Sequence, residues 1–591
     1  MHRKTLVELL INVIKNFDYE EGAVFTKENN SYNGVSRAEI ISKALSLKDF
    51  FLSTGLKKRS KVAIISENRY EWIITDIACY LSGMITVPVY TSLSPESIKY
   101  ILNHSESQIC FVSGSLQLEK LLSVKNEIPD LLKIISYSET VNENSIVMSL
   151  AQALKNSITH PQKKTLEILE GISKQIQEQD VITIIYTSGT TGIPKGVMLT
   201  HRNIYSNVKS FFKVLHIDDR DVFLSYLPYS HIFERSAGYY FPFFAASKIY
   251  YAQSIDTIGL QMTEIKPTIV MTVPRLLDKI YNKLMKSYTE MPEGFRKKVF
   301  KSALRLAKER IVKKYSIKWK LANRLVYKKI REKTGGRLKY FVSGGGALNK
   351  SIGEFFDYLD VVTLEGYGMT ETSPVIAVNR PGKNKYGTVG PPVDGVKVKI
   401  ADDGEILVKG DIVMKGYYGA PEETDNAIIN GWMHTGDIGE LDKDGFLKIT
   451  DRKKSLFKSS GGKYVAPAQI EEMIMQLPYV DQLIVIGNER MYVTALIVPE
   501  YSELKSLAKK IGIESIEYPD LFSNSVLLKQ IEKDISVIQK NLAAYEKIRK
   551  FILLDKPFTI ESGELTPTLK IKRKFVEEKY KHIIETMYHK V

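Results

Sequence analysis

Short runs of apolar residues alternate with helix-like stretches along most of the chain. Strands that alternate with helices are typical of parallel sheets covered on both faces, so this pattern predicts an α/β fold of parallel-rich sheets packed with helices. The runs that predict buried strands are 61–66, 107–112, Val181–Thr187, Val222–Leu227, Ile269–Thr272 and Tyr340–Ser343.

The pattern changes twice further along the chain. Val393–Tyr418 has short alternating segments separated by glycines, which predicts a small antiparallel unit. Later, two apolar segments, Gln482–Ile486 and Val493–Val498, precede helical stretches and a basic end. We therefore expect a second, smaller α+β domain. We place a hinge within Asp451–Lys454, where the predicted strand Gly445–Thr450 ends in a charged turn.

Length and composition narrow the class of protein. A chain of 591 residues favours about two to four domains, and its two cysteines, Cys79 and Cys110, exclude a disulfide framework. Glu8 interrupts the apolar N-terminal stretch, so we expect no signal peptide. The longest uncharged apolar stretch, Ile77–Tyr90, has 14 residues and contains Pro88, so it is too short to span a membrane. We expect a cytoplasmic protein in a reducing compartment.

The net charge of +15 is concentrated in one segment. Residues 293–339 contain 18 Lys and Arg against 3 Asp and Glu, whereas the charges of the remainder cancel. Apolar residues recur in this segment at spacings of three and four, which predicts an amphipathic helix. They are Phe300, Leu304, Ala307, Ile311, Tyr315, Trp319, Ala322, Val326 and Ile330.

Two interpretations of this basic segment stay open. In the first, the helix contacts an anionic membrane, which would hold the protein peripherally at the inner membrane surface. In the second, one face of the helix packs against the protein and the lysines are solvated. The charge would also suit nucleic acid, but the segment has no recognition motif, so we expect no nucleic-acid partner.

The strongest chemical signal is the sequence YTSGTTGIPKG at Tyr186–Gly196, which continues from the predicted strand Val181–Thr187. Its glycines let the backbone approach an anion closely, and its hydroxyl groups donate hydrogen bonds. Lys195 adds a positive charge, but the loop is not a Walker A motif because Pro194 and Gly196 flank this lysine. The sequence predicts a phosphate-binding loop of another kind.

Further polar motifs follow along the chain. They lie at Leu227–Arg235, Ser343–Leu348, Glu365–Glu371, Trp432–Asp437, Thr450–Pro467 and Leu565–Arg573. In the second and third of these, glycines permit a flat ligand to lie close to the backbone, and Tyr367 offers a ring face for stacking. A carboxylate such as that of Asp437 can accept hydrogen bonds from two hydroxyl groups.

Tyr186–Gly196 resembles the AMP-binding signature of the adenylate-forming superfamily, which includes acyl-CoA synthetases, firefly-type luciferases and peptide-synthetase adenylation domains. The other motifs follow in the order expected for this family, over nearly the whole chain. The sequence LPYSHIFER at Leu227–Arg235 resembles long-chain acyl-CoA synthetases. The resemblance implies a large N-terminal domain, 1–452, with a small β-barrel-like subdomain, and a mobile C-terminal domain, 453–591.

The resemblance also assigns roles to individual residues. The residues it implies for binding ATP or AMP are Thr187, Ser188, Gly189, Thr190, Thr191, Gly192, Lys195, Gly345, Gly346, Glu365, Gly366, Tyr367, Gly368, Met369, Thr370, Asp437, Arg452 and Lys570. The implied catalytic residues are Lys570, Thr190, Lys195 and His231, and Glu371 would hold Mg²⁺. His231, Gly344 and Gly345 would line the acyl pocket. The hinge and the thioester step would use Asp451, Lys454, Lys458, Gly461 and Gly462.

Two of these assignments carry alternatives. Lys570 aligns best with the family's adenylation lysine, although Lys572 and Lys574 lie close to it. His231 either positions substrate or is structural. The Tyr- and Phe-rich stretch Tyr239–Ala246 forms either the wall of an acyl tunnel or ordinary core.

The implied activity is an ATP-dependent fatty acid–CoA ligase that uses Mg²⁺ and takes fatty acid, ATP and coenzyme A as substrates. The first alternative keeps the adenylation and transfers the acyl group to an acyl carrier protein, although no carrier domain is evident in this chain. A luciferase-like oxidase is disfavoured by the long-chain form of Leu227–Arg235. A non-catalytic lipid-binding homologue is disfavoured because the key residues are all present: Lys195, Glu371, Asp437, Arg452 and Lys570.

Overall fold

A computed structural model gives the fold in two compact units. The residues it describes are 3–139, 145–155, 157–158, 160–187, 194–309, 313–453, 455–460, 463–513, 520–566 and 570–588. The larger unit contains residues 1–399, 407–434 and 441–447, and the smaller unit contains 400–406, 435–440 and 448–591.

The first sheet of the larger unit is parallel in its middle and antiparallel at both edges. Its eight strands lie in the order Val375–Val378, Val362–Gly368, Tyr340–Ser343, Ile269–Thr272, Val222–Ser225, Lys248–Tyr251, Gly22–Glu28 and Ser31–Ser36. Alternate residues face two different cores: Phe223 and Val342 pack on one face, and Leu224 and Phe341 on the other. Because both faces are covered, the strands appear in the sequence as continuous apolar runs.

The second sheet of the larger unit also has eight strands. Their order is Gly416–Tyr417, Lys195–Thr200, Val181–Thr187, Ile85–Val89, Lys61–Ile65, Ser107–Val112, Lys133–Ser136 and Val147–Ser149. The last six strands of this order are parallel to one another, and the first three form antiparallel pairs.

Helices connect and cover these strands. The α-helices of the larger unit are Leu6–Asn16, Arg37–Ser53, Tyr70–Ser82, Pro95–Ser105, Ser115–Leu122, Leu150–Ala153, Gln162–Ser173, His201–Val214, Phe241–Phe244, Ile258–Ile265, Pro274–Thr289, Phe295–Glu309, Ile317–Ala322, Lys328–Glu332, Lys350–Tyr358 and Pro421–Ala427. Two π-helical segments, Glu234–Tyr240 and Asn323–Tyr327, and two 3₁₀ turns, Lys125–Glu127 and Thr370–Thr372, complete the set. Where the structure describes the chain, no helix combines the length and apolar character needed to cross a bilayer.

Five further strands lie within residues 397–452, the part of the chain in which the residue ranges of the two units alternate. They are Lys397–Ile400, Glu405–Lys409, Ile428–Ile429, Trp432–Leu441 and Leu447–Arg452. The last of these corrects the expected strand Gly445–Thr450. A turn at Asp442–Gly445 precedes the strand, and the Asp442 carboxylate there accepts backbone hydrogen bonds from Asp444 and Phe446. Asp451 and Arg452 belong to the strand, so the predicted charged turn begins later, at Lys453, where the Arg452 carbonyl accepts a hydrogen bond from the Ser455 N–H.

The smaller unit has a three-stranded sheet in the order Val480–Ile486, Val493–Pro499 and Ile548–Leu553. Alternate residues again face two cores, with Val485 and Ala495 on one side and Ile484 and Leu496 on the other. Its helices are Pro467–Ile474, Tyr501–Lys510, Ser525–Ile538, Arg573–Lys579 and Lys581–Thr586, with 3₁₀ turns at Asp520–Ser523 and Gln539–Asn541. A short hairpin pairs Phe457–Lys458 with Tyr464–Val465. The predicted α+β character is confirmed.

Candidate functional site

The predicted phosphate-binding loop joins two antiparallel strands. Val181–Thr187 pairs with Lys195–Thr200, and Thr187 lies directly opposite Lys195. A Walker A loop instead leads from a strand into a helix, so this geometry agrees with the exclusion of that motif. Predicted site residues that fall outside the described residues are Ser188, Gly189, Thr190, Thr191 and Gly192.

Tyr417 lies between two of the predicted nucleotide-site residues. Its hydroxyl group donates a hydrogen bond of 2.9 Å to the Glu371 carboxylate. The ammonium group of Lys195 lies 5.2 Å from the centroid of the Tyr417 ring. Tyr417 is positioned by pairing with Val197 in the neighbouring strand. The fold thus brings Lys195 and Glu371 onto one tyrosine. The sequence analysis missed this residue because Tyr417 is distant from both partners along the chain.

Glu371 has the character expected of a carboxylate that shares a metal ion with substrate phosphates. The residue is 9% exposed and lies in the turn Thr370–Thr372, and its backbone carbonyl accepts from the Met414 N–H. Mg²⁺ usually takes one or two protein carboxylates, with phosphate oxygens and water completing its coordination. Among the described residues no cluster of three metal-ligating side chains occurs. A single carboxylate therefore fits an ion held mainly by a phosphate ligand.

One hydrogen bond joins two of the glycine-containing segments. Glu365 is buried in the middle of the strand Val362–Gly368, and its carboxylate accepts a hydrogen bond of 2.9 Å from the Leu348 N–H. It therefore anchors the loop that contains Gly344, Gly345 and Gly346. Gly345 has a positive φ of 78°, which favours glycine.

The residues predicted to lie against a flat ligand begin in the same strand. Gly366 and Tyr367 pair with the edge strand Val375–Val378, and Tyr367 is half-buried. A side chain at Gly368 would place its Cβ 1.9 Å from the Pro374 carbonyl oxygen, so only glycine fits there. Met369 and Thr370 follow at the start of the 3₁₀ turn and are also half-buried.

His231 lies at the start of a helical segment and close to the glycine loop. Its Nδ1 accepts a hydrogen bond of 3.1 Å from the Phe233 N–H. In the neutral ring this places the proton on Nε2, so His231 presents an N–H donor from its other nitrogen. The ring of Phe233 lies against Gly344, where an added Cβ would approach it to 3.1 Å. Two of the predicted acyl-pocket residues, His231 and Gly344, are therefore neighbours through Phe233.

The same motif ends in a fully buried ion pair that the sequence analysis did not identify. Arg235 binds Asp76, and it also donates a hydrogen bond of 2.8 Å to Thr183. Tyr240 donates to the second oxygen of Asp76 at 2.7 Å, and Thr86 donates to the first at 3.0 Å. Thr183 belongs to the strand that leads into the phosphate-binding loop. Arg235 therefore fixes the position of the His231 motif relative to that strand.

The aromatic stretch Tyr239–Ala246 is completely buried. Its rings contact one another and neighbouring aromatic residues: Tyr239 lies 4.5 Å from Tyr240 and 6.3 Å from Trp72 between ring centroids. Such dense ring contacts favour the core-packing interpretation of this stretch. Glu234, just before it, is buried with its carboxyl group hydrogen-bonded to Ser225, and burial raises the pKa of Glu234 to about 8.

The smaller unit brings together a second group of predicted residues. Arg452 forms an ion pair of 3.2 Å with Asp437 through Nε. Desolvation, reinforced by the charge of Arg452, lowers the pKa of Lys570, and Asp437 opposes this effect. By solvent-accessible area, however, Lys570 is exposed. Its backbone N–H donates a hydrogen bond of 3.0 Å to the Thr566 hydroxyl group. Asp437, Arg452 and Lys570 are thus close enough to influence one another.

The predicted hinge and thioester residues are only partly described. Asp451 is buried, and desolvation raises its pKa to about 6. One of its oxygens accepts from the Arg452 N–H at 2.5 Å, and the other has no partner among the described residues. Lys458 is exposed in the short hairpin, with its ammonium group 4.8 Å from the Tyr464 ring. Lys454, Gly461 and Gly462 lie outside the described residues.

Comparisons with known proteins find relatives and similar structures along nearly the whole chain. The chain is 33% identical over 564 residues to the long-chain-fatty-acid–CoA ligase FadD15 of Mycobacterium bovis, covering 91% of this chain and 90% of that protein. It is 31% identical over 616 residues to the long-chain-fatty-acid–CoA ligase 5 of Rattus norvegicus, covering 100% and 89%. Its fold is similar, at a TM-score of 0.73 and 19% identity, to the anthranilate CoA ligase AuaEII in complex with anthranoyl-AMP, covering 98% of each chain.

The family match spans both parts of the chain. Residues 19–418 match the AMP-binding enzyme family, and residues 455–591 match the AMP-binding enzyme C-terminal domain. The predicted adenylate-forming fold, with a large N-terminal and a smaller C-terminal domain, is confirmed by the similar structures. The family match, the relatives and the fold lead to one conclusion: the chain belongs to the AMP-binding enzyme family.

Proposed function

We propose that this protein is an ATP-dependent long-chain fatty acid–CoA ligase that forms an acyl-adenylate and then an acyl-CoA. The observation that carries the proposal is the meeting of Lys195 and Glu371 on Tyr417, at the end of the strands that flank the phosphate-binding loop. This arrangement offers a cation for phosphate oxygens and a carboxylate for their metal ion. The long-chain specificity is supported by the relatives that are long-chain-fatty-acid–CoA ligases.

The first step activates a carboxylate, which is a poor electrophile because its leaving group would be oxide. A carboxylate oxygen attacks the α-phosphorus of ATP, a new P–O bond forms, and pyrophosphate leaves with the electron pair of the broken bond. Negative charge is spread over the phosphate oxygens, so catalysis rests on positioning and electrostatic stabilisation. Lys195 and Lys570 supply positive charge, and His231 orients the fatty acid carboxylate.

Mg²⁺ is the cofactor that the site residues fit. Bound by Glu371 and by phosphate oxygens, the ion would neutralise charge on the leaving pyrophosphate. Tyr417 holds the carboxylate in place by its hydrogen bond to one oxygen. Gly366, Tyr367 and Gly368 form a flat surface for adenine, and Asp437 and Arg452 bind the ribose.

In the second step the thiol of coenzyme A attacks the acyl carbon, the C–O bond to AMP breaks, and AMP leaves. We assign substrate activation to residues 1–452 and the adenylation lysine to the mobile domain at 453–591. The domain would turn about Asp451–Lys454, and the segment containing Lys458, Gly461 and Gly462 would serve the thioester step. An acyl carrier protein presents the same thiol group and is the second candidate acceptor.

The expected location is the cytoplasm, with peripheral contact at the inner membrane surface. Support comes from the basic segment 293–339 and from the chemistry of the substrate, since long-chain fatty acids partition into bilayers.

The test is pyrophosphate release from ATP with acetate, octanoate, palmitate and arachidate, each with and without coenzyme A. We expect the greatest release with palmitate and many turnovers only when coenzyme A is present. Greatest release with acetate would contradict the long-chain assignment. A single burst that coenzyme A does not prolong would favour a carrier protein as acceptor.

A further inference from the structure

Three large aliphatic side chains of the basic segment point into solvent, in addition to the exposed rings of Phe295 and Tyr315. Ile317, Leu321 and Leu325 are 87%, 59% and 45% exposed. They follow one another at intervals of four along the helix Ile317–Ala322 and its π-helical continuation Asn323–Tyr327. Side chains at this spacing lie on one face of a helix. We call these three residues the apolar ridge.

The opposite face of the same helix is already occupied by the protein's own core. Trp319, Ala322, Val326 and Ile330 are buried in the cluster that contains Phe341. These four belong to the apolar periodicity found in the sequence, so packing inside the protein accounts for that periodicity. Trp319 is therefore not available as a membrane anchor. The apolar ridge is a second set that needs a different explanation.

The apolar ridge is surrounded by positive charge. Lys318, Lys320, Arg324, Lys328 and Lys329 are all exposed, and the sequence from 317 to 331 contains no acidic residue. None of these five cations forms an ion pair with any residue that the structure describes. By contrast, lysines nearby in the same segment are paired: Lys297 binds Glu293, and Lys314 binds Asp357 and Asp360. Positive charge at the apolar ridge is thus left for an external partner.

The charge and the side-chain types together select the partner. A symmetric contact between two copies of this face would oppose like charges, which is unfavourable. Single-stranded nucleic acid is usually bound through exposed aromatic rings, but the two aromatic residues within 317–327, Trp319 and Tyr327, are turned into the core. An anionic bilayer accepts apolar side chains at its surface and attracts lysine and arginine around them.

We propose that the apolar ridge and the five cations around it dock the protein onto an anionic lipid bilayer. The inference deepens the proposed function, on which it rests for its purpose: the membrane is where a long-chain fatty acid resides. Ile317, Leu321 and Leu325 insert into the headgroup boundary, and the lysines and Arg324 bind lipid phosphates.

Flotation of the full chain with two kinds of vesicle tests this surface. One kind contains phosphatidylcholine alone, and the other contains phosphatidylcholine mixed with phosphatidylglycerol. We expect binding to the mixed vesicles only. The lysine variant Lys318→Gln/Lys320→Gln/Lys328→Gln should bind them about a hundredfold more weakly, at about fivefold per lysine. The ridge variant Ile317→Ser/Leu321→Ser/Leu325→Ser should bind the mixed vesicles at least about tenfold more weakly than the unaltered protein.

Matched controls separate the surface from general effects of composition. Leu116→Ser/Leu132→Ser/Leu260→Ser removes three apolar residues that are equally exposed elsewhere, at 63%, 54% and 61%. Lys529→Gln/Lys533→Gln/Lys540→Gln removes the same charge from exposed positions of the smaller unit. Both controls should bind mixed vesicles like the unaltered protein. Binding by the ridge variant that equals that of its control would overturn the proposal.

Two further outcomes would also overturn it. One is equal binding to both kinds of vesicle. The other is the absence of vesicle binding together with an oligonucleotide complex that the lysine variant loses, which would identify nucleic acid as the partner. Pyrophosphate release with octanoate in lipid-free solution should be unchanged in the ridge variant. Loss of lipid binding is thereby distinguishable from failure of the proposed ligase activity.

Discussion

The two groups of predicted site residues differ in how they are held. In the larger unit, Glu365 and Glu371 are buried and each accepts a hydrogen bond from a named partner. In the smaller unit, the Arg452 side chain is 53% exposed in its ion pair with Asp437, and Lys570 is exposed. The larger unit therefore presents carboxylates that hydrogen bonds fix before substrate arrives. In the smaller unit Arg452 is half-exposed, and Lys570 is exposed as a residue although desolvation lowers the pKa of its ammonium group.

This difference matches the proposed division of work. Preorganised groups lower the cost of stabilising charge in a transition state, which suits the role that we propose for Glu371 in holding Mg²⁺. Exposed charges interact weakly in water and gain strength only when a ligand excludes solvent. Residues of the smaller unit such as Lys570 suit a contribution to a single step of the proposed reaction.

The largest expected effect concerns stability in the larger unit. Arg235→Ala leaves Asp76 buried without its cation, so the free energy of unfolding should fall by about 3–5 kcal/mol. Arg452→Ala breaks an exposed ion pair and should lower it by less than about 1 kcal/mol. Urea unfolding followed by fluorescence measures both variants.

A double variant distinguishes the cost of an unpaired buried charge from the cost of lost side-chain packing. Arg235→Met/Asp76→Leu removes both charges together and should be less destabilised than Arg235→Ala, because no unpaired charge remains buried. If Arg235→Ala and Arg452→Ala reduced the free energy of unfolding equally, the two ion pairs would not differ in how firmly the protein holds them.

The next effect is catalytic and lies in the smaller unit. Lys570→Ala should slow pyrophosphate release by about 10²–10³, since a positioned charge on the phosphate is lost. Conversion of supplied acyl-AMP and coenzyme A to thioester should stay close to the rate of the unaltered enzyme. Stopped assays of the two half-reactions give both rates.

Lys572→Ala and Lys574→Ala are the controls, because both residues are exposed and lie in the same basic stretch. Neither should slow pyrophosphate release. Equal loss of both half-reactions in Lys570→Ala would remove its assignment as the adenylation lysine.

The residues in these two predictions also separate the features that can be predicted from the sequence from those that cannot. The strands Val181–Thr187, Ile269–Thr272 and Tyr340–Ser343 were predicted to the residue because both faces of each sheet are covered, which produces continuous apolar runs. Lys195 and Glu371 were found as motif residues, but their meeting on Tyr417 depends on pairing between strands far apart in the chain. No local pattern encodes such a contact.

Burial of charge was equally inaccessible from sequence. Arg235 ends a polar motif and Asp76 interrupts an apolar helix, and neither position indicates that the two form a buried pair. The basic segment shows the same limit. The apolar periodicity of the segment identifies core-facing residues such as Trp319. It does not identify the exposed ridge at Ile317, Leu321 and Leu325, because lysines and other residues separate these three positions in the sequence.

An intermediate effect concerns the pH dependence of stability in the smaller unit. Burial raises the pKa of Asp451 to about 6 in the folded protein, so protonation of this residue favours the folded state. Stability from this group is present below the ordinary pKa of aspartate, about 4, and is lost as the pH rises to about 6. Asp451→Asn should therefore raise the free energy of unfolding by up to about 2–3 kcal/mol above pH 6.

The advantage of Asp451→Asn should disappear near pH 3, where the aspartate is largely protonated in both states. Thermal unfolding of the two proteins at several pH values between these limits measures it. Asp442→Asn serves as a control, because Lys385 and backbone N–H groups lower the pKa of Asp442. That substitution should have the opposite sign, with a loss of stability at neutral pH. A constant difference between Asp451→Asn and the unaltered protein at all pH values would contradict the role of titration.

The smallest effect tests the fixed character of the larger unit at its most specific contact. Tyr417→Phe keeps the ring beside Lys195 but removes the hydrogen bond to Glu371. A hydrogen bond to a charged group contributes about 1.5–3 kcal/mol, and because Tyr417 is only half-buried, water can replace part of it. We expect about a tenfold loss in kcat/KM for ATP at limiting Mg²⁺, with partial recovery as Mg²⁺ is raised. Tyr418→Phe is the matched control, since the hydroxyl group of Tyr418 binds Glu106 on the surface instead. An equal loss in both variants, or one that Mg²⁺ does not relieve, would mean that Tyr417 does not orient the carboxylate. The larger unit's site would then depend on solvent as much as the smaller unit's does.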